Sequence, residues 1–298
     1  MSNIFVGVDA GGSGTTVGAS GGDGHARVLT GEPANLRTLG AAEAAKRVAA
    51  LVRKAIDAES PACIVAGVAG AWSTELALQA ADELRKAFPR TPVEVVSDVC
   101  IALRAAVPEG DALLLLAGTG SVAYAEVGDR RARVGGYGYA LGDEGSGYAI
   151  GAAALRLLLR AFDDRAPRDA MLDAVAVAAD AACPADVLDF IGGVALQERV
   201  ASVAPIVVEA ADRGERSASK IVQAAALDLF ELVRALVKNA GVAGRELPLV
   251  FQGGLLRRNS LLTYLLETRV TAEFPLLQII KNSPEPWEGA LAMAHALK

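Results

Sequence analysis

Two glycine-rich turns, each following a short apolar run, constrain the fold of this chain more than any other feature. The first turn, residues 9–16, follows the apolar run at residues 4–8. The second, residues 118–121, follows the run at residues 113–117. Because glycine has no Cβ atom, phosphate oxygens can approach the backbone N–H groups of such turns. The pair therefore indicates a polyphosphate held from two sides, and Asp9 is a candidate ligand for the accompanying metal ion.

Neither turn matches the two best-known nucleotide motifs. The Gly-Lys-Ser/Thr of a Walker A loop does not follow the first turn. A β-hairpin, not a helix, is predicted after it, unlike the dinucleotide-binding fingerprint. Each turn taken singly is also compatible with an ordinary hairpin. Their repetition on two apolar strands favours the phosphate-binding interpretation.

The size and charge of the chain limit the classes of protein to consider. Its 298 residues predict two domains, and its 52% hydrophobic residues are enough for large cores. The net charge of −6 argues against a nucleic acid partner, because nucleic acid phosphates require a basic protein face. We find no signal peptide pattern and no apolar run long enough to span a bilayer, so no membrane partner is predicted.

The cysteines and histidines disfavour several kinds of site. Cys63, Cys100 and Cys183 form neither a CxxC pair nor a metal-binding spacing, which favours a reduced, cytoplasmic location. His25 and His295 are the two histidines, and both are predicted to be surface or packing residues. A zinc site or a Ser-His-Asp triad would need one of them, so both classes are disfavoured.

Apolar runs and helical periodicity predict an alternation of strands and helices. Predicted strands lie at residues 4–8, 15–19, 26–30, 63–68, 93–96, 112–117, 122–126, 248–251 and 276–280. Predicted helices lie at residues 41–58 and 73–88, shortly after residue 98, across 147–241 and from about 287 onward. One helix near residues 218–239 places Val222, Ala226, Leu229, Val233 and Leu236 on one stripe. The order strand, glycine turn, strand occurs twice, which indicates a weak internal repeat.

These patterns predict an α/β fold with mixed sheets flanked by helices. We place the domain boundary near residue 110, so residues 1–110 form an N-terminal lobe and residues 111–298 a C-terminal lobe. The terminal helix can pack back on the N-terminal lobe. A hinge between the lobes would create an interdomain cleft, the usual place for a ligand.

Asp98 is the candidate catalytic group. It follows the predicted strand at residues 93–96, and a carboxylate at the carboxyl end of a strand is well placed for chemistry. There it could take a proton from a hydroxyl nucleophile. The alternative interpretation is a helix N-cap for residues 99–106, because aspartate is favoured at that position. The two roles are compatible.

Three further segments could contact a ligand. Residues 135–146 contain five glycines and two acids. Asp143 and Glu144 could accept hydrogen bonds from sugar hydroxyls, or they could form the acidic N-terminus of the next helix. The glycine pair at residues 253–254 could let a flat ring approach the backbone, or form a helix-start turn. Asn35 could bind a ligand through its amide, or be a plain turn residue.

Together these motifs resemble the N-acetylglucosamine kinase family within the actin-like sugar kinase superfamily. The resemblance covers nearly the whole chain and rests on residues 7–15, 97–98, 118–121, 142–146 and 253–254. Its most specific part is Gly-Tyr-Gly at residues 136–138, followed closely by Gly-Asp-Glu-Gly-Ser at residues 142–146. The same broader family includes ATPases that activate 2-hydroxyacyl-CoA dehydratases and benzoyl-CoA reductase.

The resemblance implies a two-lobed actin-like ATPase (ribonuclease H-like) fold, the use of ATP and Mg²⁺, and a homodimer. It implies that Asp98 is the catalytic base and that Asp9 acts on the metal. The implied sugar-binding residues are Asn35, Asp98, Gly136, Tyr137, Gly138 and Asp143. The implied nucleotide-binding residues are Gly11, Gly12, Ser13, Gly118, Thr119, Gly120, Ala201, Gly253 and Gly254, with Ala201 in the helical stretch at residues 200–205.

The predicted reaction is transfer of the γ-phosphate of ATP to the 6-hydroxyl of N-acetylglucosamine or a closely related amino sugar. Glucosamine, N-acetylmuramate and glucose stay open as acceptors, because pocket shape decides among them. The main alternative is an ATPase activator of a 2-hydroxyacyl-CoA dehydratase or benzoyl-CoA reductase. Such activators share a [4Fe–4S] cluster across a dimer, which the dispersed cysteines disfavour. A sugar-sensing transcriptional regulator would require a DNA-binding extension before the first strand.

Overall fold

The computed structural model describes residues 4–21, 26–57, 59–193 and 195–297. The chain divides into two compact units. The first consists of Met1–Gly110 together with Ser283–Lys298, and the second of Asp111–Asn282. Each unit contains one five-stranded mixed sheet with helices packed on it. In these described ranges, no helix has both the length and the apolarity needed to cross a membrane.

The first unit is built on a sheet with the strand order β3-β2-β1-β4-β5. Its elements are β1 (Phe5–Ala10), β2 (Thr15–Ser20), β3 (Ala26–Gly31), α1 (Leu36–Ala55), β4 (Cys63–Val68), α2 (Thr74–Ala87), β5 (Val93–Ser97) and α3 (Asp98–Ala106). The first three strands pair antiparallel, whereas β1, β4 and β5 run parallel. The parallel strands therefore all end at one edge of the sheet, where the loops that bind ligands usually lie.

The second unit has the sheet order β10-β9-β6-β7-β8. Its strands are β6 (Ala112–Ala117), β7 (Ser121–Val127), β8 (Arg130–Gly135), β9 (Leu247–Gln252) and β10 (Leu277–Ile280). Its helices are α4 (Gly147–Phe162), α5 (Ala170–Ala178), α6 (Pro184–Ile191), α7 (Leu196–Ala201), α8 (Ala204–Asp212), α9 (Arg216–Ala240) and α10 (Leu261–Glu273). The predicted stripe of α9 is confirmed, since all five residues are fully buried against the sheet and its neighbouring helices.

The internal repeat extends beyond the predicted strand-turn-strand unit. In both units three antiparallel strands come first, a fourth strand then pairs in parallel with the first, and a fifth pairs in parallel with the fourth. The third strand of the second unit, β8, was missing from the sequence prediction. Its sequence, RRARVG, carries three arginines and has one buried residue, Gly135, so it lacks the apolar run that marks the central strands.

Helix α1 differs from the predicted helix at residues 41–58. It begins at Leu36 and ends at Ala55, with Gly40 in a non-helical conformation (φ 77°, ψ 162°). That positive φ is favourable for glycine and strained for other residues. The prediction therefore found the longer part of the helix and missed the turn that precedes the glycine.

Helix α10 was also absent from the prediction. Ser260 caps its start, and Thr263 donates and accepts the reciprocal capping bonds. Its buried residues Leu262, Leu266 and Val270 are spaced by four. The cap and the spacing were both readable signals, so this helix could have been predicted from the sequence.

The terminal helix, α11 (Pro286–Ala296), belongs to the first unit and packs on β1, β4 and α3. Two glycines make this packing close. A Cβ atom on Gly7 of β1 would overlap the backbone of Trp287 and Leu291, and one on Gly289 would overlap the backbone of α3 at Ile101. His295 also serves packing, since its ring lies 4.1 Å from the ring of Phe5. His25 lies outside the described residues.

Candidate functional site

In the first unit, the predicted residues gather at the carboxyl edge of the sheet. Asp9 is the penultimate residue of β1, and its neighbour across the parallel pair is Gly67 of β4. The first glycine turn closes tightly, because the N–H of Gly11 donates to the carbonyl of Gly14 over 2.8 Å. Gly12 and Ser13, at its tip, are exposed. The backbone at this tip is thus accessible to an anionic ligand.

Asn35 lies beside this turn. The interpretation of Asn35 as a plain turn residue is wrong. It is the N-cap of α1, and its Oδ1 accepts a hydrogen bond from the backbone N–H of Arg37 over 2.8 Å. Two backbone bonds hold the segment in place: Ala34 donates to Gly11, and Leu36 donates to Ala69. A Cβ on Gly12 would lie 3.9 Å from Nδ2 of Asn35, so the amide nitrogen faces the turn.

Asp98 begins helix α3 directly after β5, at the same sheet edge. The N-cap interpretation of this residue is wrong, because Ser97 has the extended N-cap conformation and Asp98 is the first helical residue. Oδ1 of Asp98 accepts hydrogen bonds from the backbone N–H of Val99 over 3.0 Å and from the hydroxyl of Ser97 over 3.1 Å. These two bonds orient the carboxylate at the end of the strand.

The electrostatics of this edge centre on Asp9. Burial, followed by the negative charges of Asp98 and Glu285, raises the pKa of Asp9 to about 7. Glu285 was not predicted as a site residue. It is the N-cap of α11, and its backbone N–H donates to Oε1 of Glu288 over 2.9 Å. The sequence signal was the Pro284-Glu285-Pro286 segment before a helix, but its approach to Asp9 depends on how the terminal helix packs.

In the second unit, the second glycine turn is held against the start of α4. The N–H of Gly118 donates to the carbonyl of Gly120 over 2.9 Å, which closes the turn. The backbone N–H groups of Gly147 and Tyr148 then donate to the carbonyls of Gly118 and Thr119, over 2.8 and 3.1 Å. The first turn of α4 is therefore part of this site, although the sequence analysis assigned no role to Gly147.

Two other predicted nucleotide contacts lie against the same turn. Gly253 adopts φ 97°, and a Cβ atom there would overlap the backbone of Ala117, at the end of β6. Ala201, the last residue of α7, lies beside Gly147, where a Cβ on that glycine would be 3.5 Å from the Cβ of Ala201. The glycine pair does not start a helix, because α10 begins only at Leu261. The second unit thus brings together the turn, Ala201 and Gly253.

The segment at residues 135–142 folds into a compact loop. Gly135, Gly136 and Gly138 all have positive φ, which favours glycine at these three positions. The loop closes through a hydrogen bond of 2.8 Å from the N–H of Gly142 to the carbonyl of Gly138. Tyr137 is 75% exposed. This exposed aromatic ring is available for contact with a ligand.

The interpretation of Asp143 and Glu144 as the acidic N-terminus of the next helix is wrong. Helix α4 begins at Gly147 with Ser146 as its cap, so neither Asp143 nor Glu144 lies in its first turn. Asp143 is 5% exposed, and burial raises the pKa of its carboxyl. Hydrogen bonds from the backbone N–H groups of Gly138 and Ser121 oppose that rise. The carboxylate is therefore a buried acceptor shared by two loops.

The described residues contain no group of three or more His, Cys, Asp or Glu side chains arranged to hold a metal ion by themselves. Magnesium commonly keeps several waters and uses one or two carboxylates plus substrate phosphates. Asp9 fits that mode, because its carboxylate oxygens are suitable donors beside a phosphate-type turn. A cation there would also offset the repulsion from Asp98 and Glu285.

Comparison with known proteins finds sugar kinases over most of the chain. A curated N-acetylmuramic acid/N-acetylglucosamine kinase from Clostridium acetobutylicum is 29% identical over 241 residues, which cover 80% of this chain and 78% of that protein. A curated N-acetyl-D-glucosamine kinase from Dictyostelium discoideum is 30% identical over 165 residues, 54% of this chain and 52% of that protein.

A solved structure extends the similarity to the whole fold. A protein from Chromobacterium violaceum, proposed to be an N-acetylglucosamine kinase, superposes with a TM-score of 0.77 at 25% identity, covering 98% of this chain and 99% of that chain. The fold is the predicted α/β, actin-like ATPase fold, with two mixed sheets flanked by helices. One family model matches residues 6–294, which include both glycine turns, Asp98, Asp143 and the glycine pair. The chain therefore belongs to the BadF/BadG/BcrA/BcrD ATPase family.

Proposed function

We propose that this protein is an ATP-dependent sugar kinase that phosphorylates the 6-hydroxyl of N-acetylglucosamine or a closely related amino sugar. The proposal depends on one observation above the others: the first unit holds Asp98 at the same sheet edge as Asp9 and the first glycine turn. A base, a metal-binding carboxylate and a phosphate-type turn are what phosphoryl transfer to an alcohol requires. The named kinases that match most of the chain support the same activity.

In the proposed reaction, Asp98 takes the proton of the sugar hydroxyl as its oxygen bonds to the γ-phosphorus, and the bond from that phosphorus to ADP breaks. The hydrogen bonds from Ser97 and Val99 hold the carboxylate in one orientation for that transfer. General base catalysis of this kind contributes roughly 10²–10⁴-fold to a rate. Positioning and charge stabilisation supply most of the remainder.

The remaining residues bind the two substrates. Ser13 and Thr119, with the glycines of their turns, contact phosphates of ATP, and Ala201 and the glycine pair at residues 253–254 lie by the nucleoside. Asp9 holds Mg²⁺, which neutralises phosphate charge when bound. Asn35, the loop at residues 136–138 and Asp143 form the sugar site. A homodimer and a cytoplasmic location stay predictions.

The positions of the cysteines disfavour the alternative function, an ATPase activator of a 2-hydroxyacyl-CoA dehydratase or benzoyl-CoA reductase. Cys63 and Cys100 are 2% and 3% exposed, whereas Cys183 is exposed at the start of α6. A cluster shared across a dimer needs thiolates at the surface of each subunit. One exposed cysteine in each chain supplies too few ligands for such a cluster.

A coupled ADP-release assay with Mg²⁺ tests the proposal across N-acetylglucosamine, N-acetylmuramate, glucosamine and glucose. We expect turnover on at least one amino sugar, and a loss of roughly 10²–10⁴-fold in Asp98→Asn with ATP binding retained. The matched control is Asp82→Asn, because Asp82 is an exposed residue of the same unit that pairs with Arg85. ATP hydrolysis that no sugar stimulates would favour the activator function, and normal turnover by Asp98→Asn would remove Asp98 from the mechanism.

A further inference from the structure

One buried carboxylate joins the two glycine-rich loops of the second unit. Asp143 accepts hydrogen bonds from the backbone N–H groups of Gly138 and Ser121. Gly138 belongs to the loop assigned to the sugar, and Ser121 is the last residue of the turn assigned to the phosphates. A Cβ atom on Gly120 would lie 2.8 Å from Oδ2 of Asp143, so the carboxylate is packed against that turn. The two loops therefore share one hydrogen-bond acceptor.

Further contacts strengthen this connection. The hydroxyl of Ser121 donates to the carbonyl of Glu144 over 2.7 Å. Nε2 of Gln197, on α7, lies 3.5 Å from Oδ2 of Asp143. Asp143 itself has φ 57°, a left-handed conformation that is uncommon for residues other than glycine and persists where the surroundings enforce it. The backbone and the side chain of Asp143 are therefore both constrained by the two loops.

We propose that Asp143 couples sugar binding to nucleotide binding, so that either ligand raises the affinity for the other. Each ligand favours the loop arrangement in which the carboxylate bonds to both loops, and the second ligand then binds a site that is already ordered. Asp143 is in this respect a positioning residue that acts through the loops. The inference rests on the proposed sugar kinase function.

The experiment measures a coupling factor. This factor is the Kd of ADP without sugar divided by the Kd of ADP with a saturating concentration of the sugar that the protein phosphorylates. Isothermal titration calorimetry with ADP and Mg²⁺ gives both values. We expect a factor of at least roughly fivefold in the unmodified protein, and the same factor when the sugar is titrated with and without ADP. We expect a smaller factor in Asp143→Asn, because one of the two acceptor oxygens is replaced by an NH₂ group that cannot accept a backbone N–H. Because the factor is a ratio, a uniform loss of affinity leaves it unchanged.

Asp169→Asn is the matched control. Asp169 is an aspartate of the same unit that also accepts a backbone N–H, from Leu172 over 3.0 Å, and a hydroxyl hydrogen bond from Ser217. Those partners belong to α5 and α9, not to either loop. We expect the coupling factor of Asp169→Asn to equal that of the unmodified protein, even if its stability falls.

A second variant, Ser121→Ala, keeps the carboxylate and removes only the hydroxyl bond to Glu144. We expect it to lower the coupling factor partly, and it decides the matter if Asp143→Asn no longer folds or binds sugar. An unmodified kinase with a factor near one, or an unchanged factor in the folded variants, overturns the inference and leaves the proposed function intact. A protein that phosphorylates no sugar of the panel removes the proposed function, and the inference with it.

Discussion

Asp9 and Asp143 are carboxylates that lie next to a glycine-rich turn in their respective units, and burial raises the pKa of both. Their surroundings differ in a way that separates their roles. Further acids, Asp98 and Glu285, add to the rise at Asp9, so its neighbourhood favours a cation or a proton. Backbone N–H groups oppose the rise at Asp143, so its neighbourhood favours a charged hydrogen-bond acceptor.

The pKa of Asp9 predicts how stability depends on pH. Its value of about 7 in the folded protein exceeds the ordinary value of 3.8, so between these pH values the folded state holds a proton that the unfolded state has released. The free energy of unfolding should therefore fall as the pH rises from about 4 to about 7. Asp9→Asn should remove that part of the dependence, which is at most on the order of 4 kcal/mol. Urea unfolding of both proteins, without divalent ions, measures the difference at each pH. A difference that stays constant with pH would contradict this assignment.

Asp98 and Asn35 mark the limit of sequence analysis for single residues. Their residue types and their positions after a strand or beside a turn made both candidates for a site. The alternative that Asp98 caps a helix was wrong, and the capping role of Asn35 was not predicted, because aspartate, asparagine and serine are all good N-caps and only the backbone dihedrals distinguish them. Glu285 was missed for a different reason, since its electrostatic interaction with Asp9 joins the two ends of the chain.

The second glycine turn and its neighbours act as one element. The turn is bonded to the start of α4, packed against Gly253 and linked through Ser121 to the loop that contains Asp143. Its two glycines have different neighbours. In the described part of the chain, no heavy atom beyond the adjacent residues lies within 4 Å of a Cβ built on Gly118, whereas one on Gly120 meets Asp143.

This difference predicts that the two glycine substitutions have separate effects. Gly118→Ala should change the free energy of unfolding by less than about 0.5 kcal/mol, yet weaken ATP binding, because the methyl group projects into open space where phosphates would lie. Gly120→Ala should destabilise the protein by about 1–3 kcal/mol, because it displaces a buried carboxylate. Urea unfolding and ADP titration of both variants measure these effects. Normal ATP affinity in Gly118→Ala would mean that phosphates do not bind where the added methyl group projects. Normal stability in Gly120→Ala would mean that the Asp143 side chain can move aside.

Strands and helices were predictable where apolar runs or helical spacing were strong. The strands β1, β4 and β6 are mostly apolar because they lie inside their sheets and are largely buried on both faces. By contrast, β8 lies at the edge of its sheet, so one side needs no partner and its sequence can be polar. An edge strand of this kind is defined by its pairing with β7, which residue type alone does not reveal.

At the scale of the whole molecule, the chain repeats one sheet topology and then returns to its first unit. Helix α11 follows the second unit in sequence but packs on β1, β4 and α3. That packing is close because Gly7 and Gly289 bring backbone against backbone. The main segment of the first unit ends at Gly110, and Ser283–Lys298 joins the same unit from the other end of the chain.

The close packing of α11 can be tested with Gly289→Ala. A Cβ atom there would overlap the backbone carbonyl of Ile101 and lie 2.5 Å from the backbone nitrogen of Ala105, and a backbone cannot give way as a side-chain tip can. We expect a loss of about 1–3 kcal/mol in the free energy of unfolding. Ala292→Ser, on the exposed side of the same helix, should change it by less than about 0.5 kcal/mol. Equal stability of the two variants would mean that α11 does not pack tightly on α3.

The features that could be read along the chain are local ones: apolar runs, helical spacing, glycine turns and the acids that follow strands. Those features were sufficient for the α/β class, for the resemblance to a family and for a set of candidate residues, because each depends on neighbours a few positions away. The approach of Glu285 to Asp9, the contact of Gly289 with α3 and the bonds from Asp143 to two loops join residues distant in sequence. Such contacts form only when the backbone folds, because burial and strand pairing, not local residue preference, bring those atoms together.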